Sequence, residues 1–217
     1  MNATHSPFAS LARAVDAVSI PGIVVEHRLI ADGDERALLP EEMPAFAASV
    51  TKVRRASGAA RIVARQLLAR FGQPPQAIPR GTAGMPLWPT GIVGSMAHDD
   101  TVAVAAMAAR RDFLSVGVDV EPAEPLEPGL LDIVATANER QWAKDDPLAG
   151  RLLFAIKEAI YKAVYPLDRI FLDHHDVEVN LTDGTAVVRQ GRVVRFRHCA
   201  ATHMVVLAFI PVAEVPP

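Results

Sequence analysis

The 217-residue sequence predicts a mixed α+β protein with two halves of similar size. Strand-like and helix-like patterns occur in both halves, half of the residues are hydrophobic, and no segment is repeated or of low complexity. A chain of this length forms one large domain or two small ones that share a core. We place the seam near Asp112, so that residues 1–112 form the N-terminal half and residues 113–217 the C-terminal half.

In the N-terminal half, the patterns predict two strands, one long helix and one long loop. Residues 20–30 alternate loosely as a strand does, and residues 102–107 form a second strand. Apolar positions recur at helical spacing across residues 44–71, with arginines around them. Residues 72–94 are dense in proline and glycine and predict a long ordered loop, which in a compact protein is usually functional.

In the C-terminal half, the patterns predict a strand, a series of helices and then an antiparallel sheet. The strand covers residues 115–120, and short helical segments follow near residues 130–133 and 137–142. The clearest helix of the chain covers residues 152–165, and we expect Pro166 to stop it. Four antiparallel strands follow, over residues 177–181, 185–189, 192–199 and 203–210.

The composition excludes several classes of function. The net charge of −3 at pH 7 gives no global attraction to nucleic acid. No apolar run approaches the roughly 20 residues that span a bilayer, and the first residues lack the pattern of a secretion signal. The single cysteine, Cys199, excludes a disulfide framework and fits a reducing cytosol. We therefore expect a cytoplasmic protein with no nucleic-acid partner and no membrane span.

Two acids, Asp119 and Glu121, lie at alternate positions in and just after the strand at residues 115–120. Alternation puts both side chains on one face, about 7 Å apart at the backbone, while Val118 faces the core. Carboxylate oxygens suit Mg²⁺, which also keeps water and substrate phosphate as ligands. The same pattern fits an exposed strand face, so this motif alone leaves both interpretations open.

The helix at residues 152–165 carries Glu158 and Lys162 on a face separate from its apolar stripe. The two residues are four apart in the favourable order, which fits an ordinary surface ion pair worth roughly 0.3–0.5 kcal/mol. They equally fit a third carboxylate for a metal ion with a lysine beside it for a phosphate. Helix geometry permits either.

Basic residues and a glycine–serine pair form a candidate anion site. Arg54, Arg61 and Arg80 precede Ser95 and His98 in the sequence. A guanidinium group binds two phosphate oxygens at once, and glycine followed by serine lets an anion approach the backbone closely. Each residue taken singly also fits a structural role. No Walker-type or dinucleotide-type glycine pattern is present, which argues against the common nucleotide folds.

Taken together, these elements resemble the Sfp-type 4′-phosphopantetheinyl transferases, especially the branch that contains the enterobactin-synthase component D enzymes. Any one of the motifs is weak evidence for this family, but all of them in this order and spacing are specific to it. The resemblance rests on the basic helix ending in Ala60-Arg61, the segment from Pro86 to His98, the strand from Gly117 to Glu121, and the helix from Phe154 to Ala163.

The resemblance implies both a reaction and an architecture. The enzyme would transfer the 4′-phosphopantetheine arm of coenzyme A to a serine of an acyl or peptidyl carrier protein, releasing 3′,5′-adenosine bisphosphate. Mg²⁺ would be the cofactor and coenzyme A the co-substrate. The fold would consist of two pseudo-symmetric α/β halves with the active site in the cleft between them, in a monomer.

The resemblance also implies roles for individual residues. Asp119, Glu121 and Glu158 would hold Mg²⁺ against the pyrophosphate of coenzyme A. Lys162 would contact the pyrophosphate, assisted by Lys157, and Glu158 would be the base for the carrier serine unless it is purely a ligand. The other contacts with coenzyme A would come from Arg54, Arg61, Arg80, Ser95 and His98.

Some features depart from the family pattern and leave alternatives open. Ala97, Ala56 and Val53 stand where the family usually has a hydroxyl residue, a glutamate and an arginine. Asp99 and Asp100, directly after His98, would repel a phosphate unless they point away. A metal-dependent phosphodiesterase or nuclease and a non-catalytic coenzyme A- or carrier-binding protein are the rival hypotheses. By analogy with the siderophore-linked branch, the expected carrier belongs to secondary metabolism.

Overall fold

The computed structural model describes residues 7–212 and contains two antiparallel sheets. The first sheet has three strands in the order β1-β3-β2. Helix α2 packs on this sheet. The elements of this part are α1 (Pro7–Val18), β1 (Ile23–Leu29), α2 (Thr51–Arg70), β2 (Ile92–His98) and β3 (Val102–Ala109), with 3₁₀ helices at Asp34–Ala37, Met43–Phe46 and Thr82–Gly84.

The second sheet has five strands in the order β4-β8-β7-β6-β5, and helix α5 packs on it. Strand β4 is also packed against β2 and β3 of the first sheet. The elements are β4 (Phe113–Pro122), α3 (Leu130–Val134), α4 (Ala137–Ala143), α5 (Ala149–Asp168), a 3₁₀ helix (His174–Asp176), β5 (Val177–Asn180), β6 (Thr185–Val188), β7 (Val193–Ala200) and β8 (His203–Pro211).

One apolar core joins the two parts of the molecule. Val104 and Ala106 of β3 pack in the same buried cluster as Val116 and Val118 of β4 and Leu207 of β8. Each part combines one 20-residue helix with one antiparallel sheet. The expected α+β class with two halves is therefore confirmed. The division at residue 112 falls in the turn between β3 and β4 and stays a prediction.

Helix α5 lies against β4 because its apolar stripe is buried and because Gly117 has no side chain. Ile156 and Ile160 of the helix are fully buried. A Cβ atom on Gly117 would lie 1.9 Å from the carbonyl oxygen of Ala159 and 2.7 Å from the nitrogen of Ala163. The backbones of strand and helix therefore touch, which brings the acids of β4 beside the polar face of α5.

Three of the expected element bounds are wrong. The end of the expected loop, residues 92–94, belongs to strand β2, because β2 pairs with β3 from Ile92 to His98 and the Trp88 indole covers Gly94. Pro166 lies inside α5, which continues two residues beyond the proline to Asp168. The long N-terminal helix begins only at Thr51, after a separate 3₁₀ turn.

The described helices include none long and apolar enough to cross a membrane.

Candidate active site

Asp119 and Lys162 form an ion pair between β4 and α5. Lys162 Nζ donates to Asp119 Oδ1 at 2.6 Å and to the carbonyl oxygen of Val118 at 3.3 Å. The Asp119 side chain is 7% exposed and that of Lys162 is 28% exposed. The acid is therefore nearly buried behind the lysine. The fold therefore brings together two candidate residues that are 43 positions apart in the sequence.

Glu121, two residues further along β4, is held by an arginine that the sequence did not single out. Arg151 of α5 donates to Glu121 Oε2 at 2.9 Å, and its other nitrogens donate to the carbonyl oxygens of Glu124 and Pro125 at 3.3 Å each. Both side chains of the pair are 20% exposed. Arg151 therefore fixes Glu121 and the chain that follows β4 at the same time.

Glu158, one turn before Lys162, has a histidine as its neighbour. His174 Nε2 lies 3.7 Å from Glu158 Oε1, which is beyond hydrogen-bond distance. Burial, followed by the positive charge of Lys157, lowers the pKa of His174. The imidazole is therefore uncharged at neutral pH.

The pKa values of Asp119 and Glu121 are both raised, in each case partly by a neighbouring acid. Burial raises the pKa of Asp119 more than any other effect, and the negative charge of Glu158 raises it further against the opposing influence of Lys162. Burial likewise raises the pKa of Glu121, and the charge of Asp119 adds to it. Carboxylates placed close to one another in this way favour a bound cation.

A test of whether the residues fit a divalent cation rests on one atom. Asp119 Oδ2 is buried and has no hydrogen-bond partner, whereas buried carboxylate oxygens are normally bonded. Across residues 7–212, no group of three or more His, Cys, Asp or Glu side chains is placed so that it could hold a metal ion by itself. Lys162 and Arg151 instead hold two of the three acids. The oxygen donors and the unbonded Oδ2 fit a hard cation such as Mg²⁺.

A cleft of about 470 Å³ opens beside these acids. Lys162 and Glu158 lie on its wall, and Glu158 is the one acid among the described residues that line it. A cleft of this volume whose wall combines apolar and polar surface is typical of small-molecule sites. The apolar part of the wall includes Met85, Pro86, Leu87, Trp88, Leu114, Tyr161, Tyr165 and Leu167.

The predicted arginines have different surroundings. Arg80 is exposed and lines the cleft. Arg61 is 3% exposed and donates to the carbonyl oxygens of Ile78 and Ser57, which places it within the packing of α2. Burial lowers the pKa of Arg61 to about 10. Arg54 donates to the carbonyl oxygen of Ser49 at 2.8 Å, at the start of α2.

Ser95 and His98 lie on β2, at the cleft and near it. Ser95 is 3% exposed and lines the cleft. His98, at the end of the strand, borders a second cavity of about 590 Å³ with the first turn of α2. Desolvation, followed by the charge of Lys162, lowers the pKa of His98. His98 is therefore close enough to Lys162 for the lysine charge to act on its imidazole.

The acids that follow His98 are already paired. Asp99 Oδ1 accepts from the backbone nitrogens of Thr101 and Val102 at 2.6 and 2.7 Å, and its other oxygen lies 3.0 Å from His203 Nε2. Asp100 Oδ1 lies 2.7 Å from Lys52 Nζ. Both acids therefore already have side-chain partners within the protein.

Lys157 lies away from the cleft, although it directly precedes Glu158. It is 2% exposed, and its Nζ donates to Glu139 Oε2 at 2.6 Å and to the carbonyl oxygens of Val134 and His174 at 2.8 Å each. Glu139 also accepts from the backbone nitrogen of Val179. Lys157 therefore ties α5 to α4 and to the chain after the helix.

Several residues at the site were missed in the sequence. Arg110 and Arg169 add positive charge to the cleft wall, Arg151 holds Glu121, and His174 faces Glu158. Helical spacing could have identified Arg151 from the sequence, because it lies seven residues before Glu158 and therefore on the same helix face. Nothing in the pattern around Arg110, Arg169 or His174 indicates that the fold brings them to the cleft.

Family models match both halves of the chain. The model described as 4′-phosphopantetheinyl transferase N-terminal domain matches residues 41–108. The model described as 4′-phosphopantetheinyl transferase superfamily matches residues 115–205. Together they cover more than half of the sequence, and the second range includes Asp119, Glu121 and Glu158.

Individual proteins are similar over comparable stretches. The 4′-phosphopantetheinyl transferase Npt of Nocardia iowensis is 40% identical over 172 residues, which are 77% of this chain and 78% of that protein. The 4′-phosphopantetheinyl transferase Svp of Streptomyces mobaraensis is 38% identical over 164 residues, 72% of this chain and 67% of that protein. Enterobactin synthase component D of Salmonella typhi is 36% identical over 129 residues, 54% of this chain and 50% of that protein.

Proposed function

This chain belongs to the 4′-phosphopantetheinyl transferase superfamily, as its sequence motifs indicated, and we propose that its cleft transfers phosphopantetheine to a serine of a carrier protein. It is therefore an enzyme, and its family uses coenzyme A. We further propose which residues act in the transfer, which metal ion they bind and which kind of carrier protein is modified.

The observation that carries the proposal is that Asp119 is paired with Lys162, which lines the cleft together with Glu158. A lysine on the wall, a buried acid with one unbonded oxygen and a second acid on the wall combine groups that bind phosphate and groups that bind a cation. Phosphoryl-group transfer from a pyrophosphate needs both.

Asp119, Glu121 and Glu158 would hold Mg²⁺, which would neutralise charge on the pyrophosphate as its bond breaks. Lys162 would contribute a positive charge that contacts the same phosphates, and that charge opposes the rise that burial causes in the pKa of Asp119. Glu158 accepts the proton of the carrier serine, because it is the one acid among the described residues on the cleft wall. The serine oxygen then attacks the β-phosphate, and 3′,5′-adenosine bisphosphate leaves.

The remaining contacts with coenzyme A divide into two groups. Arg80, Ser95 and His98 are accessible from the cleft or the cavity beside it and would contact the nucleotide end. Arg61 and Lys157 are buried with partners of their own, so we assign them the support of α2 and α5. Arg54, bound to Ser49, stays a weaker candidate contact.

The pantetheine arm would lie along the apolar wall of the cleft. The arm is a flexible chain with few charges, so it suits the wall formed by residues such as Trp88 and Tyr165. The Trp88 indole is fixed there because its Nε1 donates to the carbonyl oxygen of Gly94 at 2.7 Å.

For the partner, we propose an acyl or peptidyl carrier protein of secondary metabolism, bound by a monomeric, cytoplasmic enzyme. Enterobactin synthase component D, by its name, belongs to a siderophore synthase, and the Salmonella typhi protein is 36% identical over about half of this chain. The small net charge of −3 supports the absence of a nucleic-acid partner.

Intact-protein mass spectrometry of apo carrier proteins tests this function. Incubation with the enzyme, coenzyme A and Mg²⁺ should add the mass of one phosphopantetheine, and coenzyme A should stay intact when the carrier is omitted. Cleavage of coenzyme A without a carrier would instead identify a phosphodiesterase. No mass gain on fatty-acid, polyketide and nonribosomal-peptide carriers alike would contradict the proposal.

A further inference from the structure

The imidazole of His174 contains a buried nitrogen without a hydrogen bond. His174 belongs to the 3₁₀ helix His174–Asp176 that follows α5. Its Nε2 is buried, has no hydrogen-bond partner, and lies 3.7 Å from Glu158 Oε1. Buried polar atoms are rarely left unbonded, because the loss of hydration costs about 1–3 kcal/mol. The carboxylate of Glu158 supplies a partner just outside bonding range.

Contacts on several sides hold the His174 ring in this place. Its carbonyl oxygen accepts from Lys157 Nζ at 2.8 Å. Its ring is stacked on Phe154, with centroids 5.5 Å apart and planes at 22°. Asp173 and Asp176 form a capping box around the turn, in which each side chain accepts a backbone N–H of the other end. The direction of Nε2 is therefore set by the fold.

We propose that His174 is a positioning residue for Glu158, whose Oε1 accepts a hydrogen bond from the Nε2–H of His174. The inference rests on the proposed function, because it assumes that Glu158 acts in the transfer. A shift of about 0.5 Å closes the present gap to a normal hydrogen bond. With Oε1 engaged, the carboxylate has one orientation, and Oε2 is the oxygen left for the cation or the serine proton. Partners of this kind fix the orientation of metal-binding carboxylates.

The His174 ring could instead serve only to pack on Phe154. Two substitutions separate this packing role from the proposed hydrogen bond to Glu158. His174→Phe keeps the stack on Phe154 and removes the donor. His174→Gln keeps a donor nitrogen near the position of Nε2 and removes the aromatic stack. His175→Ala is the matched control, because His175 belongs to the same turn and its ring faces the carbonyl oxygen of Asp132 at 3.1 Å instead.

The decisive measurements are the affinity of Mn²⁺, titrated as a paramagnetic probe with coenzyme A present, and the thermal unfolding midpoint. We expect His174→Phe to weaken Mn²⁺ binding about 10- to 100-fold, the usual effect of removing such a partner. Its unfolding midpoint should stay the same or rise, because an unbonded buried nitrogen disappears. His174→Gln and His175→Ala should bind Mn²⁺ within about threefold of the unaltered enzyme.

Nitrogen-15 spectra of the histidine rings provide a readout independent of activity and of metal. They should show the proton of His174 on Nε2, and a proton on Nδ1 alone would overturn the inference. Unchanged Mn²⁺ affinity in His174→Phe, or equal losses in His174→Phe and His174→Gln, would overturn it as well. If the unaltered enzyme neither binds Mn²⁺ nor modifies a carrier, the proposed function fails instead, so the two failures are distinguishable.

Discussion

Gly117 of β4 and Ala159 of α5 are in backbone contact, so that a Cβ atom on Gly117 would lie 1.9 Å from the Ala159 carbonyl oxygen. Asp119 lies two residues after this contact, and Glu158 and Lys162 flank it on the helix. The contact between strand and helix therefore sets the distance between the acids and the lysine of the candidate site. Five predictions follow from this arrangement and from the ion pairs around it.

Gly117→Ala should damage both the fold and the site, because backbone atoms cannot move aside as side chains do. We expect a loss of about 3 kcal/mol or more in unfolding free energy, the upper end for overpacked cores. Urea denaturation measures it. The matched control is Gly150→Ala, whose new Cβ would meet only the flexible ends of Leu126 and Leu131, at 3.1 and 3.2 Å. Equal stability of the two variants would contradict the close contact.

Arg151→Ala should release Glu121 and weaken the metal site. The carboxylate loses its 2.9 Å partner, so we expect the Mg²⁺ concentration for half-maximal transfer to rise about 10-fold or more. Arg151→Lys should recover part of the effect. Arg189→Ala removes an arginine from the surface pair with Asp176 and should leave the Mg²⁺ dependence as it was. An Arg151→Ala enzyme with the original Mg²⁺ dependence would show that Glu121 needs no positioning.

Lys157→Met should lower stability and leave the affinity for coenzyme A nearly unchanged. Removal of one partner from a buried ion pair costs about 3–5 kcal/mol, and here Glu139 would be left without its cation. Urea denaturation and calorimetric titration with coenzyme A measure the two quantities. A large loss of affinity at unchanged stability would instead make Lys157 a direct contact of coenzyme A.

Asp99 should stabilise the fold at neutral pH and lose this effect in acid. Burial alone would raise the pKa of Asp99, but hydrogen bonds from His203, Thr101 and Val102 outweigh it and lower the pKa to about 2. A lowered carboxyl pKa gives stability that is complete above the ordinary value of 3.8 and is lost as the pH falls through about 2. We expect a contribution of about 2 kcal/mol at pH 7.

Asp99→Asn tests this pH dependence through urea denaturation at several pH values. The difference in unfolding free energy from the unaltered protein should be largest at neutral pH and should shrink steadily between about pH 4 and pH 2. A difference that does not change over this range would assign the effect to hydrogen-bond geometry and not to charge.

The sequence was sufficient where periodicity and alternation decide the structure. The buried stripe of α5, with Ile156 and Ile160 at its centre, follows from helical spacing, and the common face of Asp119 and Glu121 follows from strand alternation. The meeting of β4 with α5 was available only through the family resemblance, because it depends on a contact between residues about 40 positions apart.

The sequence was insufficient where tertiary contacts override local preference. Gly94 and Ser95 favour a loop by themselves, but pairing with β3 makes them part of β2. Arginine and lysine commonly bind phosphate, which made Arg61 and Lys157 candidates. The fold shows that both side chains are already hydrogen-bonded to buried partners within the protein. Those partners come from distant segments, so no local pattern indicates which way either side chain points.

Asp119→Ala gives the most direct test of the central claim, that the transfer takes place at the acids between β4 and α5. The measurement is the mass of an apo carrier protein after incubation with coenzyme A, Mg²⁺ and either the unaltered enzyme or the variant, with circular dichroism to confirm that the variant is folded. We expect the phosphopantetheine mass gain with the unaltered enzyme, its loss on addition of EDTA, and no gain with Asp119→Ala. Transfer by the folded Asp119→Ala enzyme at the original rate would contradict the claim.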